Sequence, residues 1–283
     1  MLLIIGAGLI VGLFASKKLI TKEKKNKEIS TKTIVSIKKA INDFKNSTII
    51  YVSKLTKTID DIPYVVFKRI HSITGTIFIG GFVIAHFINN TLAYNPKKLN
   101  KLSKSIHKNP LFPLIEIVGI YIPLTTHIII GLILLRKGKI DTRIKSETNY
   151  RYILQRLSAY IILKTLIFHL VTIRFNEYIP DFIRKPLNIP SKRDLTFQKV
   201  NVWFKPPLSL IGHITYRFFI ISISYHLSNG LWTAAITWGL AKTYEKQIKL
   251  RRLSNWIFAA LVLWGEKIID LYTKEYKEEK EED

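Results

Sequence analysis

Five stretches of this chain are apolar over about twenty residues or more: 67–90, 111–135, 152–173, 208–241 and 254–273. A hydrocarbon layer about 30 Å thick is crossed by roughly 20 residues of helix, rising about 1.5 Å each. No water inside that layer satisfies peptide groups, so every crossing must be helical. The expected fold is all-α, a polytopic transmembrane bundle of five long helices. A sixth, short helix is added if the N-terminal run MLLIIGAGLIVGLFAS is an anchor rather than a targeting element. Hydrophobic residues make up 48% of the 283 and are gathered into these runs, unlike the short periodicity of a soluble domain.

The boundaries implied are 1–16 for the short hydrophobic segment, 17–64 for a basic surface segment, 65–273 for the bundle and 274–283 for a charged tail. The connection 174–207 holds Pro180, Pro186, Pro190, Pro206 and Pro207, which predicts an extended surface loop. The net charge of +24 lies almost wholly outside the apolar runs, as in NPKKLNKLSKS and RKGKIDTRIK. That suits anionic lipid headgroups or an acidic partner surface, and makes nucleic acid a poor partner for a polytopic chain. Both of these loops are strongly basic, so the positive-inside rule does not orient the bundle, a failure that favours an imported mitochondrial inner-membrane protein over a bacterial plasma-membrane one. The chain has no cysteine, which excludes disulfides, iron–sulfur ligation and thiolate zinc within it.

Four of the seven histidines lie one per run in the first four runs: His86, His127, His169 and His226. One histidine in a helix is readily a packing residue. Four ionisable groups at membrane depth point to function. His86 is 16 residues beyond Ile70, His127 is 16 beyond Leu111 and His169 is 17 beyond Tyr152, each about 24–26 Å along its helix. Successive helices run in opposite directions, so His86 and His169 share one level, and His127 shares the other with His226. Two imidazoles at each of two levels are what two bis-histidine haem b groups require. Zinc fits less well, because it gathers three or four ligands at one point. Gly131 and Gly230 each follow a histidine by four residues, where a porphyrin edge would approach the backbone.

With these residues in view, the chain resembles the single-chain, five-helix, dihaem cytochrome b anchor of succinate:quinone oxidoreductase (complex II). The resemblance is carried in order by KRIHSITGTIFIGGFVIAHF, LFPLIEIVGIYIPLTTHIIIGL, LQRLSAYIILKTLIFHLVTIR and HLSNGLWTAAITWG, over about residues 65–273. It implies that His86 and His169 ligate the distal haem, and that His127 and His226 ligate the one nearer the iron–sulfur subunit. It also implies that His71, Ser72 and Arg156 lie near a haem propionate; an exposed, snorkelling arginine is the competing reading for Arg156. The partners implied are an iron–sulfur subunit, a flavoprotein subunit, lipid and quinone, with Arg69, Ser72 and Tyr152 as quinone candidates. The N-terminal segment and the 174–207 loop exceed the family's usual length and suggest contacts with further subunits. Ser224 stands where some fumarate-reducing relatives carry a glutamate, so proton movement through that position is not expected.

No catalytic dyad, nucleophile or phosphate loop is visible, so the chain reads as a non-catalytic electron-transfer subunit of an enzyme complex. The alternatives are a dihaem quinol-oxidising anchor of a fumarate reductase, nitrate reductase or hydrogenase, and a haem-free structural anchor. Two further expectations concern single residues. Glu116 and Lys164 are read as an intramembrane ion pair, with snorkelling of Lys164 towards the interface as the competing reading, and Pro123 as a kink that aims His127 or simply aids packing.

Overall fold

The computed structural model describes residues 31–189 and 196–274. The N-terminal hydrophobic run, Pro190 and the tail beyond residue 274 lie outside the described residues. Every regular element among the described residues is helical, in agreement with the all-α expectation.

The chain divides into two compact units, Met1–Ile62 and Pro63–Asp283. The described part of the first is α1 (Thr31–Asp61), a 31-residue helix. Its Ile37, Ile41 and Phe44 recur at helical spacing and are exposed, with lysines between them.

In the second unit, α2 (Tyr64–Tyr94) is followed by the short α3 (Pro96–Lys108), then by α4 (Phe112–Lys137) and α5 (Glu147–Arg174). α2, α4 and α5 are each long and apolar enough to cross a membrane. After the one-turn α6 (Asp181–Arg184) comes α7 (Thr196–Asn201), whose chain continues through a 3₁₀ turn to Phe204. α8 (Ser209–Thr237) is bent by 108° from that segment, and the two form a fourth candidate span only when taken together. α9 (Tyr244–Thr273) has the length of a span at 30 residues, but falls short of the other helices in apolarity. Its first third carries Glu245, Lys246, Lys249, Arg251 and Arg252, and its last third Glu266, Lys267 and Asp270. The sequence expectation of five apolar crossings is therefore met by three helices, or four with the bent pair.

α8 is the central helix, packing against α2, α5 and α9, while α4 packs on α2. The outer surfaces are apolar: Ile77, Leu114, Ile122, Leu157, Ile167 and Phe218 are all exposed, the arrangement expected where lipid is the solvent. The end where α2 and α5 finish and α8 begins is termed upper. There the aliphatic and aromatic core gathers, with Phe87, Phe197, Trp203, Phe204, Ile269 and Tyr272.

Residues 196–204 of the 174–207 connection form part of this core, so the expectation of an extended surface loop is corrected there. Phe197, Val200, Trp203 and Phe204 are buried, and the apolar pattern of TFQKVNVWF outweighs the flanking prolines. Gly212 permits the fold-back, since a Cβ there would lie 1.9 Å from the Trp203 carbonyl oxygen. Polar anchors complete it. Asn100 Oδ1 accepts from the Phe197 amide at 3.0 Å, and Asn201 donates to the Tyr272 carbonyl.

Three π-helical turns interrupt the spans: Thr74–Ile79, Ile117–Tyr121 and Leu170–Arg174. Such turns are rare and rotate the side chains that follow them. The first separates His71 from His86, and the third begins directly after His169. The second ends just before Pro123, so the irregularity expected there takes the form of a π turn ahead of a residue that lacks an N–H.

Candidate functional site

A cavity of about 600 Å³ lies between α2, α4, α5 and α8, and His71, His86, His127, His169 and His226 all line it. Each histidine occupies one helix face, and the antiparallel order of the helices sorts them into two groups. The upper group pairs His86 with His169, ring centroids 5.9 Å apart and planes at 87°. The lower group pairs His127 with His226, centroids 6.1 Å apart at 82°, and adds His71 at 6.4 Å from His226. The levels read from residue counting are thus the ones found in space.

His71 and His127 form a reciprocal clasp between α2 and α4. Their rings stack at 3.7 Å and 15°. His71 Nδ1 is 3.1 Å from the His127 carbonyl oxygen, and His127 Nδ1 is 3.0 Å from the His71 carbonyl oxygen. Two glycines make room. A Cβ on Gly75 would sit 2.3 Å from His127 Cε1, and one on Gly131 would sit 3.1 Å from His71 Cε1. Gly131 therefore admits the neighbouring imidazole, where the sequence suggested a porphyrin edge. Gly230 is less crowded, with only Gln155 Nε2 nearby at 3.8 Å.

His226 is held by polar groups that the sequence reading passed over. Its Nδ1 lies 3.2 Å from the Gln155 carbonyl oxygen and 3.3 Å from Ser158 Oγ. The Gln155 side chain donates to the His226 carbonyl at 3.0 Å and accepts from Asn229 at 2.8 Å. Arg151 in turn donates to Asn229 at 3.1 Å. The signal was present in LQRLSA and HLSNG, where polar residues recur inside apolar runs.

The remaining expected residues fall out differently from one another. Arg156 is buried, so the exposed, snorkelling alternative does not hold. Its guanidinium caps α4 by donating to the carbonyls of Leu135 at 3.1 Å and Leu134 at 3.3 Å, and it also bonds the Tyr152 hydroxyl. Its Nε is buried without a partner among the described residues, in a side chain that lines the cavity. Ser72 donates to the Arg69 carbonyl at 2.9 Å and accepts from Trp238 at 2.8 Å. Ser224 is buried, and its hydroxyl has no hydrogen-bond partner among the described residues.

The Glu116–Lys164 pair is not formed. Glu116 binds Arg174 in a two-pronged pair at 2.9 and 2.8 Å and accepts from Tyr121 at 3.1 Å. The reason is depth: Glu116 opens α4, and the antiparallel α5 brings its last residue, Arg174, to that level. Lys164, ten residues earlier, is exposed on the outer face of α5.

What the cavity can do follows from its donors. Two imidazoles bound to one metal at about 2 Å each would have ring centroids roughly 6 Å apart, and both groups match that spacing. With Nδ1 of His127 and His226 turned to carbonyls, their Nε2 atoms are left for a metal, the arrangement in which outer hydrogen bonds fix ligand orientation. In the lower group, ligand atoms of His71, His127 and His226 lie within 4.8 Å of one another.

These features define an all-helical membrane protein that gathers buried imidazoles at two levels around one cavity. No protein-family model matches the chain. Over 205 residues it is 27% identical to the succinate dehydrogenase cytochrome b558 subunit of Bacillus subtilis (strain 168), a match that covers 72% of this chain and 94% of that protein. The chain is thus a distant homologue of a succinate dehydrogenase cytochrome b subunit, as its helix-by-helix resemblance implied. The relative is bacterial and lends no support to the mitochondrial preference drawn from the loop charges.

Proposed function

We propose that this chain is the membrane anchor of a succinate:quinone oxidoreductase in an energy-transducing membrane. In this reading it holds two haem b groups and passes electrons from an iron–sulfur subunit to quinone. His86 and His169 hold the upper haem, and His127 and His226 the lower. The observation that carries this is the pair of centroid spacings, 5.9 and 6.1 Å, on facing walls of one cavity. Held by these imidazoles, haem would supply one-electron transfer.

The chain's own residues do the rest. Carbonyls of His71 and Gln155 fix the Nδ1 protons of His127 and His226, setting the nitrogen that faces iron. The unpartnered Nε of buried Arg156 suits a propionate at the lower level, with His71 beside it. Dicarboxylate chemistry belongs to a flavoprotein partner; the basic α1 offers surface for lipid or further subunits, and so, separately, do the exposed Tyr178, Phe182 and Ile183 of the 174–207 connection.

The same residues would serve a dihaem quinol-oxidising anchor of another respiratory enzyme, and covalent flavin in the purified complex distinguishes the two. A second reading, a three-imidazole zinc site, is favoured by the lower cluster alone. It leaves the His86–His169 pair without a purpose. The deciding experiment is metal analysis with redox difference spectroscopy on the purified complex. Two b haems per chain are expected, with His86→Ala and His127→Ala each removing a different one. Zinc without haem bands, or no bound metal at all as a purely structural anchor predicts, rejects the proposal.

A further inference from the structure

Of the four ligand candidates named above, three are accounted for or open to the cavity, while His169 has an orphaned nitrogen. His127 and His226 direct Nδ1 at main-chain carbonyls. His169 Nδ1 is fully buried with no hydrogen-bond partner among the described residues. Beside it is a second orphan. Tyr216 lies on α8, ten residues before His226, and is 8% exposed; its hydroxyl is likewise buried without a hydrogen bond of ordinary geometry among the described residues, although the Thr172 hydroxyl is close enough to interact with it. The two rings meet edge-on with centroids 6.1 Å apart, and both residues line the cavity.

The neighbouring hydroxyls each donate elsewhere, so neither offers a proton to His169 or Tyr216. The Thr172 hydroxyl, one turn beyond His169, donates to the Phe168 carbonyl at 2.8 Å. The Tyr272 hydroxyl donates to Asn90 at 2.7 Å. Two buried polar atoms on adjoining rings, neither with a hydrogen bond of ordinary geometry among the described residues, call for an oxygen that reaches both. If His169 binds iron through Nε2, its Nδ1 points away from the metal, so that oxygen is not part of the haem. Water is the group of the right size and chemistry.

We propose that Tyr216 is the positioning residue for His169: its hydroxyl holds a water that accepts the Nδ1 proton, as main-chain carbonyls do for His127 and His226. The inference rests on the haem assignment above. It makes the two haems unequal, since a carbonyl polarises two of the imidazoles and a water held by a removable side chain polarises a third. A proton shared outward raises the basicity of the ligand nitrogen and favours ferric iron.

The test is Tyr216→Phe in the whole complex, with both haems titrated against potential. Phenylalanine keeps the ring packed on Phe168 and Phe204 and removes only the hydroxyl. The reduction equilibrium of the haem that His86→Ala removes should move toward the ferrous form by roughly fivefold, and the other should not move. Unchanged midpoints, or equal movement of both, overturn the proposal. If the variant fails to assemble, the wild-type complex is exchanged into heavy water and the deuteron on His169 Nδ1 is read by double resonance at the ferric haem. A hydrogen-bonded quadrupole coupling is expected, and that of a free N–D overturns the idea. Wild-type protein without haem is recognised before any substitution and rejects the underlying assignment instead.

Discussion

His71 and His127 each turn Nδ1 to the other's main-chain carbonyl, at 3.1 and 3.0 Å, across two antiparallel helices. The exchange is made possible by Gly75 and Gly131, each four residues beyond one of the histidines. One HxxxG segment on each helix therefore forms half of a clasp that fixes the lower imidazole cluster. At about 1 kcal/mol net for each hydrogen bond, the clasp contributes orientation more than stability.

Gly75→Ala should break the clasp, because its Cβ would fall 2.3 Å from His127 Cε1. Overpacking of this kind costs about 1–3 kcal/mol. On the proposed two-haem reading, haem content should drop from two to one per chain by pyridine haemochrome assay. Gly81→Ala is the control, with nothing within 4 Å of the added methyl.

Arg156→Met should destabilise the bundle by about 1–3 kcal/mol, leaving the Leu134 and Leu135 carbonyls without their cap. Thermal melting of the detergent-solubilised complex measures it. Arg156→Lys is expected to restore little, since an ammonium lacks the planar fork that reaches two carbonyls.

Glu116→Gln and Lys164→Met should separate cleanly. The first leaves the partly buried Arg174 without its carboxylate and is expected to lower the melting temperature. The second removes an outward-facing charge and should leave haem content and assembly unchanged. A loss of assembly in Lys164→Met would mean that this face of α5 meets a partner in the complex.

Gln155→Leu tests the polar bracket around His226. It deletes the side-chain bonds to the His226 carbonyl and to Asn229 but keeps the Gln155 carbonyl that faces Nδ1. On the proposed two-haem reading, affinity for the lower haem should fall about 10-fold or more, with the upper haem retained. Haem titration of the apo complex reads the difference.

The levels of the four histidines were legible because depth along a helix is arithmetic. Counting about 1.5 Å per residue and reversing direction at each connection placed His86 with His169 and His127 with His226. The same counting, applied to Glu116, should have led to Arg174, since both stand near the upper ends of their helices. The Lys164 expectation erred by preferring a charge inside the run to one at its edge.

The fold-back of 196–204 was hidden because five prolines outweighed the apolar pattern of TFQKVNVWF. Its burial depends on Gly212, in the first turn of α8, whose contact with the Trp203 carbonyl exists only once the chain has folded back. The brackets around His226 were equally non-local, joining Gln155 to residues more than seventy positions away.

By itself the sequence determined that the chain is helical, that it enters a membrane and how deep each imidazole lies. All three follow from local quantities: the burial preference of a run and the rise of a helix. Tertiary structure decided how those imidazoles are turned about their helix axes, and so that His71 joins His127 and that His169 faces Tyr216. Rotation about an axis is set by π turns and by glycines that let neighbouring helices approach, and those act only once the helices have packed.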